Sequence, residues 1–335
     1  MKKKFPYLVL RGSRRAIGQA IGENFRSKIQ ESVLLRQETI PNYKDLKRQS
    51  QSHFLETLRY FPKLIEELTA TAIAANVSVM DLFFANTRSL YDAGVASEKG
   101  ELVIHDRCTT VVSFGTDGAI VGHNEDWDIK NIDDLYILKA TIGEAKFIGI
   151  NYVNELPGSA ASMNSWGLVQ GINEVHQKET VGIPKNFLAR AVLESPTLIE
   201  AESMIRRVKQ DTGFNHLLVQ KDKVKNIEIA ERKVKTTNLT NESYVHTNHF
   251  LTNLKKYETY RTKSSEHRYD KAKELLQNKM SEKEVVNILS DHSDTEYPIC
   301  RHDSTMASLI FKPKIGEMIV CYGPPCKGEY EKYKL

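Results

Sequence analysis

Cysteine and tryptophan are scarce in this chain: four of the former and two of the latter in 335 residues. Four thiols are too few for a disulfide framework in a chain this long, so Cys108, Cys300, Cys321 and Cys326 read as reduced. A free thiol usually serves as a small buried apolar group, and three of the four can be assigned that role. Long apolar runs are missing too, and no window approaches the length that spans a bilayer. The start, MKKKFPYLVLRGSRR, has the charge of a signal peptide, but its apolar stretch is short, is cut by Pro6 and is followed at once by Arg11. There is little excess charge of one sign. The 47 basic and 43 acidic residues leave a net charge of +4, mixed along the chain, which speaks against a nucleic-acid stripe or a polybasic membrane patch. These absences lead us to expect a cytoplasmic protein that binds neither nucleic acid nor membrane.

What is present fits an ordinary globular protein, with 40% hydrophobic and 27% charged residues and enough length for one or two domains. Residues 12–100 read as mostly helical. Ala16, Ile17, Ala20, Ile21, Phe25 and Ile29 recur at helical spacing, and Phe54, Leu58, Leu64, Leu68, Ile73 and Ala74 suggest further helices. Ser78 with Asp81 has the form of a capping box. From Cys108 onward short β-rich runs take over: 109–114, 119–122, 136–142, 146–152 and 168–172. A turn signal, Thr116-Asp117-Gly118, separates the first two. Helices are predicted over 186–194, 198–209 (behind Thr197/Glu200), 265–276 and 282–289 (behind Ser281/Glu284). Strands are predicted at 216–220, 224–230, 306–311 and 317–322. Strands, then helices, then strands predict an α+β fold, with helices packed on a mostly antiparallel sheet or on two stacked sheets.

Cys108 stands at the boundary between the two textures. A thiol within a chain needs a separate base, because its unperturbed pKa is about 8.5. A thiol at a chain terminus has its own α-amine, of pKa about 7.7 to 8.0, as a built-in base. Cleavage before Cys108 would create that arrangement, with Thr109 and Thr110 supplying hydroxyls and Asp126 or Asp128 orienting the amine.

Cys108-Thr109-Thr110, the glycine turn and Gly122-His123-Asn124-Glu125-Asp126-Trp127 resemble the N-terminal-nucleophile (Ntn) hydrolases. Within them the pattern is most similar to the acyl-coenzyme A:6-aminopenicillanate acyltransferase family, the C45 peptidases. Similar pieces follow in order along the chain: Leu10-Arg11-Gly12-Ser13 with Gly18 and Gly22, Met163 to Asn173, Val245 to Phe250, Ser264 to Tyr269, and Ser304 to Ser308. The resemblance implies an Ntn-type αββα sandwich, divided into a mostly helical segment 1–107 and an αββα domain 108–335 that stay associated after cleavage. It implies Cys108 as nucleophile, Asp126 holding the new α-amine, Asn248 donating to the oxyanion with Asn173 beside it, and Arg268 anchoring a carboxylate or the hydrogen-bond network. The expected activity is a self-processing amidohydrolase or acyltransferase on a small amide, penicillin-like or an N-acyl amino acid, through a Cys108 thioester. No cofactor is expected, though a coenzyme A thioester is open to it as co-substrate, and homo-oligomerisation is left open.

Two departures from the family pattern stand out. Arg107 occupies a position where members often carry glycine, which motivates an alternative: an unprocessed, inactive small-ligand-binding protein of the same fold. His123 stands where the bile-salt branch has arginine, which argues against that substrate class. A third reading is a mid-chain thiol hydrolase whose base is His246 or His249. Metal is not expected. His292, Cys300, His302 and Asp303 fit none of the usual paired zinc spacings, and Cys321 and Cys326 flank what reads as a turn, Gly323-Pro324-Pro325.

Overall fold

The computed structural model describes residues 3–87, 107–116 and 118–335. Two sheets stack face to face. The first has eight strands in the order β1-β4-β5-β6-β7-β8-β9-β10: β1 Tyr7–Arg11, β4 Leu135–Ile142, β5 Ala145–Tyr152, β6 Ser162–Asn164, β7 Leu168–Glu174, β8 Phe214–Gln220, β9 Lys223–Ala230 and β10 Lys233–Thr240. The second has six in the order β11-β2-β3-β12-β13-β14: β11 Tyr244–His246, β2 Thr109–Gly115, β3 Gly118–Asp126, β12 Thr305–Lys312, β13 Glu317–Tyr322 and β14 Tyr330–Lys334. Neighbouring strands run antiparallel except β1 beside β4.

Helices cover both outer faces. Helices α1 (Arg14–Asn24), α2 (Arg26–Thr39), α4 (Pro62–Ala75), α6 (Lys185–Leu193) and α7 (Leu198–Arg207) share a core with the eight-stranded sheet, built from Ile21, Ile29, Leu68, Phe187, Leu138 and Leu218 among others. Helices α8 (Lys263–Leu275) and α9 (Glu282–Leu289) cover the six-stranded sheet through Ala272, Val285, Val111 and Ile310. Between the sheets, Val112, Val121 and Leu309 meet Ile137, Ile148 and Leu217. Adjacent Val111 and Val112 thus face two different cores, which is why β2 reads as an unbroken buried run rather than an alternating one. The layers are α, β, β, α, the sandwich that the resemblance implied.

The stretch Phe5 to Leu10, which imitates a signal peptide in sequence, is largely strand β1, an edge strand in register with 137–141 of β4. The segment before Cys108 is therefore built into the same sheet and core as the segment after it. α1 crosses α4 closely: a Cβ on Gly18 would lie 2.2 Å from the Glu67 carbonyl, so only glycine allows the approach. Beneath the crossing, Glu67 takes a two-pronged ion pair from fully buried Arg190, each N–O distance 3.1 Å.

Some local expectations change. The capping box at Ser281 forms and the Thr197 hydroxyl caps the Glu200 N–H, but Ser78 makes no side-chain cap at α5 (Val79–Ala85). Asp81 instead accepts from Tyr43 and Lys47 on α3 (Tyr43–Tyr60), which ties α5 to its neighbour. Leu58 and Ile73, expected on an apolar stripe, are exposed. Among the described residues no single helix is long and apolar enough to cross a membrane.

Candidate active site

The site is built at the open end of the β2–β3 hairpin. Gly115 pairs with Gly118 across the turn, and the register carries through to Thr110 opposite His123 and Thr109 opposite Asn124. Continued by one pair, it sets Cys108 opposite Glu125. Side chains two apart in a strand share a face, so His123 and Glu125 project on one side together. The ligand atoms of Cys108, His123 and Glu125 all lie within 4.8 Å of one another, and each side chain is buried.

These three groups sit in a continuous chain of hydrogen bonds. His123 Nδ1 donates to Thr110 Oγ1 at 2.8 Å, and Thr110 Oγ1 donates in turn to Asn173 Oδ1 at 3.0 Å. Asn173 Nδ2 donates to the Cys108 carbonyl at 3.0 Å. On the other ring nitrogen, His123 Nε2 lies 3.2 Å from Glu125 Oε2, while Glu125 Oε1 accepts from Tyr152 Oη at 2.7 Å. Burial opposes a charged imidazole, but the Cys108 sulfur and the Glu125 carboxylate outweigh it and push His123 up to about 10. Glu125 is correspondingly held below the usual carboxylate range by His123, against its burial. Gly171 on β7 makes room for this: a Cβ there would lie 2.8 Å from the Thr110 methyl.

A second network surrounds the Arg107–Cys108 peptide bond. Arg301 Nη2 donates to the Arg107 carbonyl and to Asp126 Oδ2, both at 2.9 Å. The other Asp126 oxygen, Oδ1, is buried with no hydrogen-bond partner among the described residues. The Arg107 side chain is itself buried. It is ion-paired to Glu174 and lies 3.9 Å from the Trp127 ring centroid. Arg268, fully buried, donates to the Cys108 carbonyl at 3.1 Å, to Thr109 Oγ1 at 2.7 Å and to Asn248 Oδ1 at 2.9 Å.

Cys108, Asp126, Asn173, Asn248 and Arg268, expected from the sequence, are thus gathered within two linked networks. Their contacts refine what each can do in this form. Asn248 Nδ2 donates to the Glu174 backbone carbonyl at 3.0 Å and Asn173 Nδ2 to the Cys108 carbonyl, so neither points at the Arg107 oxygen. Arg301 does, and no motif in the sequence marks it. The Arg268 hydrogen bonds given above lie within the internal network.

The thiol's neighbour is also a different histidine from those expected. His246 is paired with Glu228 at 3.2 Å. His249 packs against Ser265 Oγ at 2.8 Å, and burial, with His246 and nearby arginines, pushes it down to about 3, so it stays neutral. His123 takes the place beside Cys108. Counting the hairpin register outward from the turn would have found it; Arg301 lies too far along the chain for any local signal.

Next to the site lies a cleft of about 260 Å³, lined among others by Trp127, Tyr152, Arg36, Asn154, Glu155 and Asp134. Tyr152 joins it to Glu125 and Trp127 joins it to Arg107.

The chain is 25% identical over 231 residues to β-alanyl-dopamine/carcinine hydrolase of Drosophila melanogaster, a match covering 63% of this chain and 59% of that protein's length. Among solved structures it resembles the Caenorhabditis elegans ortholog of N-acylethanolamine-hydrolyzing acid amidase, with 16% identity, TM-score 0.49, and 62% of this chain and 93% of that one covered. It also resembles a mutant of the conjugated bile acid hydrolase from Clostridium perfringens, with 12% identity, TM-score 0.47, and 68% and 97% covered. Residues 113–327, well over half of the chain, match the family described as acyl-coenzyme A:6-aminopenicillanic acid acyl-transferase, and the protein belongs to that family.

Proposed function

We propose that this protein is a self-processing amide hydrolase or acyltransferase in which Cys108 attacks first its own chain and then a small amide. The observation that carries the reading is the pairing of the Arg107 carbonyl with Arg301 beside the Cys108 thiol. In processing, the Cys108 sulfur gives up its proton and adds as a thiolate to the Arg107 carbonyl carbon, with the charged His123 ring beside it favouring the anionic sulfur. Negative charge develops on the oxygen that Arg301 already contacts. The Arg107–Cys108 C–N bond then breaks, the new amine takes a proton, and water opens the thioester to leave an Arg107 carboxylate and a free thiol. In this reading the freed α-amine donates to Asp126, whose buried Oδ1 has no hydrogen-bond partner among the described residues. In the mature enzyme that amine relays the proton from thiol to leaving amine. Water as acceptor gives hydrolysis; an amine, or a thiol such as coenzyme A, gives acyl transfer. A reducing compartment, the cytoplasm, suits such a thiol.

Intact-mass measurement tests this. Fragments ending at Arg107 and beginning at Cys108, absent in Cys108→Ala, are the expected result. A chain that never splits and shows no amidase activity overturns it. For substrate, the adjoining aromatic-walled cleft and the similarity to a β-alanyl-dopamine/carcinine hydrolase favour a small linear amide. A panel of β-alanyl amines, N-acyl amino acids and penicillins, with water and coenzyme A as acceptors, assigns the class.

The Cys108–His123–Glu125 arrangement favours a second reading, a thiol hydrolase active in the uncut chain. It predicts turnover by intact protein that is lost in His123→Gln.

A further inference from the structure

Away from the Cys108 site, the fold assembles a donor set that local spacing does not announce. His292, Cys300 and His302 lie on the segment between α9 and β12, and Cys326 lies in the turn between β13 and β14. Their ligand atoms, two sulfurs and two ring nitrogens, all fall within 4.8 Å of one another. His302 Nε2 is 3.1 Å from Cys326 Sγ, and the His292 and His302 rings meet edge to face with centroids 5.0 Å apart. A tetrahedral ion with metal–sulfur bonds of about 2.3 Å and metal–nitrogen bonds of about 2.0 Å needs its donors roughly 3.4 to 3.8 Å apart. The four atoms are within small side-chain rotations of that spacing.

The scaffold around them is well tied. Cys300 is buried and its N–H donates to the Asp291 carbonyl at 3.1 Å. The Gly323 N–H donates to Met306 O at 2.8 Å and the Lys327 N–H to Pro324 O at 3.1 Å, which fixes the turn presenting Cys326. Asp303, next to His302 in sequence, is not in the cluster, and Cys326 takes its place. Lys327 Nζ lies 3.1 Å from His302 Nδ1. A metal on Nε2 would leave the proton on Nδ1 and turn this exposed lysine away to solvent.

We propose that His292, Cys300, His302 and Cys326 bind one Zn²⁺ in a closed tetrahedral structural site. Two thiolates and two imidazoles in tetrahedral array suit zinc above hard cations. Both thiols surrender protons on binding, which neutralises the ion's charge. The site clamps the two sides of Arg301, since Cys300 and His302 flank it in sequence. Zinc thereby holds the guanidinium that contacts Asp126 and the Arg107 carbonyl. Metal binding itself does not depend on the activity proposed for Cys108.

The test uses the full chain, purified under reducing conditions from zinc-supplemented culture. About one zinc per chain by elemental mass spectrometry is expected. After chelation, cobalt(II) should restore the intense visible bands of a tetrahedral site together with thiolate-to-cobalt charge transfer. Cys326→Ser and His302→Ala, both at exposed positions, should lose the metal and the charge-transfer band while remaining folded by circular dichroism; Cys321→Ser should keep both. Absence of metal from wild-type protein, a Cys300–Cys326 disulfide in its place, or cobalt spectra unchanged in Cys326→Ser would overturn the proposal. Metal bound stoichiometrically by a chain that never self-cleaves would uphold the zinc site and sink the processing mechanism instead.

Discussion

Arg301 Nη2 stands 2.9 Å from the carbonyl oxygen of Arg107, although the two residues are 194 positions apart. The contact matters because that oxygen is the one on which charge develops when the Cys108 sulfur attacks. A donor already in place costs no reorganisation at the moment of reaction. Arg301→Gln is expected to slow self-cleavage by ~100- to 1,000-fold, the usual cost of losing one oxyanion donor. The measurement is a time course of intact mass on freshly translated chain, and cleavage at the wild-type rate would remove Arg301 from the mechanism.

Cleavage should not release the first segment. β1 is hydrogen-bonded along β4, and Ile17, Ile21, Leu64 and Leu68 are buried in the core of the eight-stranded sheet. The two fragments are expected to separate in denaturant and to elute together from a sizing column without it. Free fragments under native conditions would contradict this arrangement.

His123 makes stability depend on pH with a definite sign. Its folded-state value, about 10, lies above the ordinary histidine value near 6.5. The charged ring therefore contributes its full stabilisation below about pH 6.5. The contribution fades as pH rises and is gone above about pH 10. The groups facing the ring are Cys108, Glu125 and Thr110. The gap in melting temperature between wild type and His123→Gln should accordingly narrow from pH 6 to pH 10. A constant gap would mean the ring is held neutral.

Glu67→Ala leaves the Arg190 guanidinium buried without its two-pronged partner. Breaking a buried pair from one side costs about 3 to 5 kcal/mol, so chemical denaturation should show a loss of that order. Glu67→Ala together with Arg190→Met should recover part of it. A loss under about 1 kcal/mol, the range of exposed pairs, would show that Glu194, 2.9 Å from Arg190 Nε, or water compensates the guanidinium.

Much of the fold follows from local pattern. Helix stripes in 14–29 and 62–75 place one outer layer, the β-rich runs after Cys108 place most of the paired strands, and Thr197 and Ser281 start helices α7 and α9 where their hydroxyls cap the first turn. These features depend on residues a few positions apart, where spacing and side-chain chemistry act directly. Strands β1, β6, β10, β11 and β14 were not legible. They are short, interrupted by a turn or polar on one face, and are strands only because a neighbouring edge completes their hydrogen bonds.

The site divides the same way. The position of Cys108 at the change of texture, the hairpin after it and Asp126 at the hairpin's end are all readable from one continuous stretch of sequence. That His123 rather than His246 or His249 faces the sulfur was decided by strand register. That Arg301 reaches the Arg107 carbonyl, and that Cys326 joins His292, Cys300 and His302, was decided by how distant segments cross. Sequence spacing constrains which residues share a strand face or a helix turn. Contacts between separate segments depend on the packing of whole layers, and that information resides in no single stretch of the chain.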